Sequence, residues 1–98
     1  DRGHREDVGG RTMTNRIFRY EVPVDGQWHA LLGHANPLHV ACRNNGIVEF
    51  WAWERSMDRY PIEYRVYGTG ESVDDLCDYL GTALSPNGQL VWHLMRRS

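Results

Sequence analysis

Three histidines recur every five residues, His29, His34 and His39. Imidazoles at a repeated spacing are the first place to look for a metal. Tetrahedral zinc requires four nitrogen, sulfur or oxygen donors in tight geometry. His29 and His39 are expected to face each other across a hairpin, but no thiol or carboxylate is placed to complete the set. They read as ordinary strand and turn residues, and neither a metal nor any other cofactor is expected. His93 lies between Trp92 and Leu94, and no Ser or Cys stands at a local spacing from it, so a nucleophile–base pair has no support. Cys42 and Cys77 are the only cysteines. They form neither a CxxC nor a Cys/His pattern and read as reduced, half-buried thiols.

The Gly68-Thr69-Gly70 loop follows a strand, and such a loop can turn backbone N–H groups toward an anion. A dinucleotide fingerprint needs a third glycine opening a helix, but residue 73 is Val73 and Glu71 adds a repelling charge. The ordinary reading is a tight turn requiring positive φ. Glu71, Asp74, Asp75 and Asp78 crowd the next segment without the spaced oxygens of a calcium loop. They read as a solvated acidic face, with a charge-mimicking partner patch as the alternative. Trp28, Trp51, Trp53 and Trp92 are more ring than one small core readily holds, since each indole buries roughly 150–250 Å². Trp51 and Trp53 alternate onto one face opposite Phe50, so either they form the core or that face is an interface, where Trp and Tyr are enriched. The candidate binding residues are therefore Trp51, Trp53, Arg65, Gly68, Thr69, Gly70 and Glu71; no catalytic residue is expected.

The elements that must position these groups are strands. Ile17 to Val24 alternates, with Phe18, Tyr20, Val22 and Val24 on one face and Arg19 and Glu21 on the other. Pro23 lacks an N–H, so that end lies on an edge or leaves the sheet. Trp28, Ala30 and Leu32 share a face, a turn runs from Gly33 to Pro37, and Leu38, Val40 and Cys42 form the next inward set. Asn44-Asn45-Gly46 is the strongest hairpin signal. It leads into Ile47 to Glu54, followed by a polar loop from Arg55 to Pro61. Ile62, Tyr64 and Val66 restart the alternation. Ser72-Val73-Asp74-Asp75 matches a capping box, so one short helical turn is expected before a strand over 78–84. Ser85-Pro86-Asn87-Gly88 then turns the chain into a last strand over 89–95. The fold class is all-β: an antiparallel sandwich or small partly open barrel of about seven short strands, built mainly from hairpins, with at most one helical turn.

A chain of 98 residues supports one domain. Residues 1–12 hold three Gly, six charges summing to zero and one aliphatic residue, Val8. They read as a disordered extension ahead of a β domain over 13–98, with Met13 as a natural start. No apolar run of membrane-spanning length occurs, and no signal peptide is expected. Net charge is −2, so the cation surplus that phosphate binding exploits is missing and nucleic acid is not the expected partner. All 11 basic residues are Arg, which a GC-rich genome accounts for.

The opening Ile-Phe-Arg-Tyr, the Asn-Gly hairpin before an aromatic strand with Trp-Ala, Tyr67-Gly-Thr-Gly70, Tyr79-Leu-Gly-Thr82 and Leu90-Val-Trp-His93 occur in that order. On these motifs, over about residues 15–95, the chain resembles a family of small uncharacterised bacteriophage and prophage proteins, the domain of unknown function DUF7352. Trp28 to Arg43 fits more loosely. The resemblance implies a phage accessory protein acting in the host cytoplasm and transfers no functional residues. The function expected is therefore non-enzymatic binding of a host or phage protein, with a homodimer as an option. The alternatives are an oligomeric protein sequestering a nucleotide-like small molecule, by Trp stacking and phosphate capture at Arg65 and the loop amides, or a minor virion component.

Overall fold

Alternating apolar residues here fold into two stacked sheets. The computed structural model describes residues 7–8, 11–12, 15–33, 37–55, 60–73 and 76–97. Its strands are β1 (Asp7–Val8), β2 (Arg11–Thr12), β3 (Asn15–Pro23), β4 (His29–Gly33), β5 (Pro37–Asn44), β6 (Ile47–Arg55), β7 (Tyr60–Gly68), β8 (Asp78–Leu84) and β9 (Val91–Arg97). β1 and β2 pair with each other, and the rest of residues 1–12 lies outside the described residues. The other seven strands form antiparallel sheets in the orders β3-β6-β5 and β4-β7-β9-β8. β5 packs over β8 and β3 over β7, which makes a sandwich rather than a closed barrel. Among the described residues there is no helix, and hence none that could cross a membrane.

The core lies where the period-two pattern places it except in β4, where Leu31 packs inward and Trp28, Ala30 and Leu32, expected to point in, lie on the outer face. β3 turns Val22 inward, β6 contributes Val48, Phe50 and Ala52, and β7 contributes Ile62, Tyr64 and Val66. Leu94 and Ala83 close it from the second sheet. Tyr20 stacks on Phe50 at 4.9 Å and Phe50 meets Tyr64 at 4.8 Å, so a row of rings runs from one sheet to the other. Burial pushes the Tyr64 phenol up to about 12. Gly81 marks the closest approach of the layers: an added Cβ there would lie 2.5 Å from Val40 Cγ2. Only a residue without a side chain lets β8 sit so close to β5. Burial also raises the Cys42 thiol, with the Glu49 charge adding to the effect, and its Sγ donates to the Asn44 carbonyl.

Several expectations need correction. Among the seven sandwich strands only β5–β6 and β8–β9 are hairpins; β3 pairs with β6, β4 with β7, and β7 with β9 by longer connections. Leu38 is 52% exposed rather than inward, because a register shift between Pro37 and His39 places it in a bulge. The loop expected over 55–61 is shorter, since β6 keeps Arg55 and β7 takes Tyr60 and Pro61. Strand β8 occupies 78–84 as the sequence reads. The segment before it is not helical where it is described, and Asp74 and Asp75 of the capping box lie outside the described residues. The last strand starts at Val91 because Gln89 and Leu90 belong to the turn. Ser85 stitches that turn: its amide donates to the Leu90 carbonyl, its Oγ accepts from the Leu90 amide, and its carbonyl accepts from Gly88. His29 and His39 stand in different sheets rather than across a hairpin, and His34 lies outside the described residues. Cys77 is half-buried but precedes β8 instead of filling a strand position.

Candidate functional site

The expected binding residues separate into three places. Gly68, Thr69, Gly70 and Glu71 line an open groove of about 320 Å³ with Tyr67, Val73, Tyr79, His93 and Met95. β7 ends at Gly68, the chain turns through Gly70 at φ +96, and the Glu71 amide donates back to the Gly68 carbonyl at 3.2 Å. Such a φ is strained for any residue with a Cβ. The Gly68 N–H, which an anion would need, instead donates to Glu71 Oε1 at 2.8 Å. The loop has thus filled its own anion position with a carboxylate. A phosphate would meet that negative charge in place of a free amide, which weighs against the nucleotide reading.

His93 forms the floor between two hydroxyls, with Nε2 2.8 Å from Thr69 Oγ1 and Nδ1 3.0 Å from Thr82 Oγ1. Tyr79 OH lies 2.7 Å from the same Thr82 oxygen, and Thr69 Oγ1 is 3.5 Å from the Val91 carbonyl. Donor counting for a neutral ring gives one consistent direction: Tyr79 to Thr82, Thr82 to Nδ1, Nε2–H to Thr69, Thr69 to the carbonyl. Every hydroxyl proton then has an acceptor, and the chain ends on backbone. It stiffens a wall. It supplies no carboxylate to orient the imidazole and no nucleophile beside it. Among the described residues, no three His, Cys, Asp or Glu side chains gather as metal ligands.

Arg65 is not in the groove. It lies on the same sheet face, on the far side of Tyr67, with its guanidinium 4.5 Å above the Tyr67 ring. Its Nε is shielded from water and has no acceptor among the described residues. Trp28 meets Tyr67 edge-on at 6.3 Å, Arg97 stacks on Trp28 at 4.2 Å, and Arg97 Nε donates to Glu63 at 2.6 Å. Tyr67 and Trp28 each carry a cation and meet each other, and Tyr67 is left 3% exposed, whereas the Tyr79 ring at the groove is 61% exposed. Around Tyr67 the four-stranded sheet covers itself, while Tyr79 and Leu32 stay exposed.

Trp51 and Trp53 occupy the outer face of the other sheet, and Phe50 is in the core. Ile17 stands directly opposite Trp53 in the β3–β6 ladder, and the two are 52% and 46% exposed. Trp51 is half-buried, beside His39 at 5.9 Å and beneath Arg43 at 5.6 Å. Next along β6, Glu49 is fully shielded although it points away from the core. Arg43 Nε donates to it at 2.7 Å, Arg43 Nη2 at 3.1 Å and Arg19 Nη1 at 2.5 Å. Two exposed guanidinium planes form a thin lid over this carboxylate. The hydrogen bonds from Arg43 hold its pKa below the ordinary Glu value, against the opposing effect of burial, and Arg19 adds to the lowering.

Sequence reasoning missed Tyr67, Tyr79, Thr82 and His93 as groove residues. One signal was available: a hairpin closed by Ser85 and Leu90 places Thr82 opposite His93 by counting back from the turn. The pairing of Tyr67 with His93 across β7 and β9, and of Ile17 with Trp53 across β3 and β6, has no local signal.

The model of the domain of unknown function DUF7352 matches residues 13–98. No curated protein and no solved structure matches the chain.

Proposed function

The chain belongs to the DUF7352 family, and we propose that it is a non-enzymatic accessory protein of phage origin that binds a host or phage protein in the host cytoplasm. The phage setting and the compartment rest on the motif resemblance alone. One observation carries the binding reading: Ile17 and Trp53 lie side by side, half in water, beside Trp51 on the outer face of the three-stranded sheet. Scattered exposed apolar residues are normal on a soluble protein, but adjoining ones mark contact surfaces. Indoles are also over-represented among the side chains that dominate interface energies.

The chemistry of the partner follows from the rim. Arg19 and Arg43 spend some of their donors on Glu49 and keep others facing solvent. A surface with an apolar hollow for Trp53 and carboxylates around it would meet both features. Strapping Glu49 to two strands' arginines also fixes the face before binding, which lowers the ordering cost of association.

The test places a photo-crosslinking side chain at position 53, and separately at position 82 on the other sheet. Each protein is irradiated in the phage-infected host. The expected result is one discrete protein adduct from position 53, lost when Ile17 is changed to Ser in a variant that still unfolds like the wild type. Adducts from position 82 alone, or none from 53, would refute the docking face.

A second reading has its own observation. The groove beside Gly68 is largely apolar, with Glu71 at its mouth. It suits a neutral or cationic aromatic ligand better than a nucleotide. A thermal shift with such ligands, absent in Tyr79→Ala, would favour it; a ligand at 100 times its Kd adds about 2.7 kcal/mol of stability.

A further inference from the structure

The four sheet edges are not equivalent. β5 breaks register with β6 between Pro37 and His39 and again between Ala41 and Asn44. β8 breaks register between Tyr79 and Gly81, and β4 is five residues long. These are the usual devices that blunt an edge against pairing with another chain. β3 has neither a register shift nor a short length: its nine residues pair with β6 without a shift, and its edge devices are the charges of Arg16, Arg19 and Glu21 and the terminal Pro23.

Which of its backbone groups are open follows from one hydrogen bond. The Val24 amide donates to the Gly46 carbonyl at 2.8 Å, continuing the β3–β6 register, so the even-numbered residues of β3 bond to β6. The N–H and C=O groups of Ile17, Arg19 and Glu21 therefore point away from the sheet. Pro23 falls on the same side, and its missing N–H stops any added ladder there. Among the described residues no strand pairs with this edge, which leaves a strand template open over residues 15–21.

We propose that this edge takes a second copy of the same chain, β3 pairing antiparallel with its counterpart across a two-fold axis at Phe18. Such an axis stands perpendicular to the sheet, and paired residues then share a face. An axis at Arg19 sets two guanidiniums directly opposite each other, which is unfavourable. An axis at Tyr20 pairs Ile17 with Pro23, which has no N–H to give. An axis at Ile17 shortens the ladder. An axis at Phe18 pairs Ile17 with Arg19 and residue 15 with Glu21, each with an N–H available, and leaves Pro23 outside. No like charges face each other: Arg16 lies opposite Tyr20, and Phe18 lies opposite its own copy.

The exposed apolar residues of β3 are Ile17 and Phe18, the latter 37% exposed; Phe18 sits on that axis and Ile17 flanks it. The two three-stranded sheets become one, and because the axis preserves the face, both Trp53 rings lie on the same outer side. The dimer does not require the docking reading above. If both hold, the partner meets two copies of the face, and linked sites bind more tightly than either alone.

Light scattering of the full chain reads the dimer first: twice the chain mass is expected, and a monomer overturns the proposal. Ile17→Pro removes one outward N–H and no bond to β6, so it should yield a folded monomer; a dimer that survives it lies elsewhere and overturns the assignment. Register is read in a Cys77→Ser background by mild oxidation. Phe18→Cys should give a disulfide-linked dimer and Ile17→Cys should not, because residue 17 faces residue 19 of the other copy. Equal linkage at both positions would place the axis wrongly. A monomer that still yields the position-53 adduct sinks the dimer and leaves the docking face standing.

Discussion

The outer faces of the two sheets are made of the same materials and finished differently. On the four-stranded sheet, Arg65 and Arg97 lie on Tyr67 and Trp28, Glu63 anchors Arg97, and the 68–73 loop leans over the rest. On the three-stranded sheet, Arg19 and Arg43 turn to a carboxylate, Glu49, with Arg43 also over Trp51, and Trp53 is left in water beside Ile17. One face spends its cations on its own rings. The other spends them on holding a buried charge and leaves an indole uncovered. The lesson is that aromatic content says little about function until the partner of each ring is known.

The contrast can be broken by substitution. The largest effect is expected at Tyr67→Ala, which empties a nearly closed position on the self-covered face and should cost about 3 kcal/mol in urea unfolding. A loss under about 1 kcal/mol would mean that the cover is loose. Next comes Glu49→Gln, through its pH dependence. The folded-state pKa of Glu49 lies below the unfolded value. Its contribution to stability is therefore fully present above the ordinary Glu range, near 4.5, and is lost as pH falls through the lower folded-state value. Wild type should lose stability over that acidic window, and Glu49→Gln should show a flatter profile there. Parallel profiles would show that the two arginines do not hold the carboxylate. Arg97→Gln removes a stacked cation and an exposed ion pair, for about 1 kcal/mol together. Its signature is a change in Trp28 fluorescence along with the small loss.

Legibility in the sequence followed the range of the interaction. The alternation over Ile17 to Val24 placed Tyr20 and Val22 on the core side because period two is a property of the strand itself. The split of β6 into a Phe50 face and a Trp51–Trp53 face was legible for the same reason, but which of the two is core was not, and burial puts Phe50 inside. Ser85 to Gly88 announced the β8–β9 hairpin, though not that Leu90 would be spent on closing it. Leu38 was misplaced because a bulge depends on how β5 must bend to follow β6, and no residue near it signals that. The candidate groove was half visible, as a glycine loop. Its floor was not, because His93 arrives from β9 through a strand pairing that the intervening residues do not encode. The proposed docking face was visible as a surplus of rings and invisible as a pair, since Ile17 and Trp53 meet only through tertiary structure.

The central claim is that the open face is not part of what holds this fold together. Urea unfolding of Trp28→Ala and Trp53→Ala, measured side by side, tests it most directly. Trp28→Ala forfeits an edge-on aromatic contact and a stacked guanidinium and should cost about 2 kcal/mol. Trp53→Ala should stay within about 0.5 kcal/mol of wild type. If Trp53→Ala costs as much as Trp28→Ala, its ring serves the protein's own packing and the account is wrong.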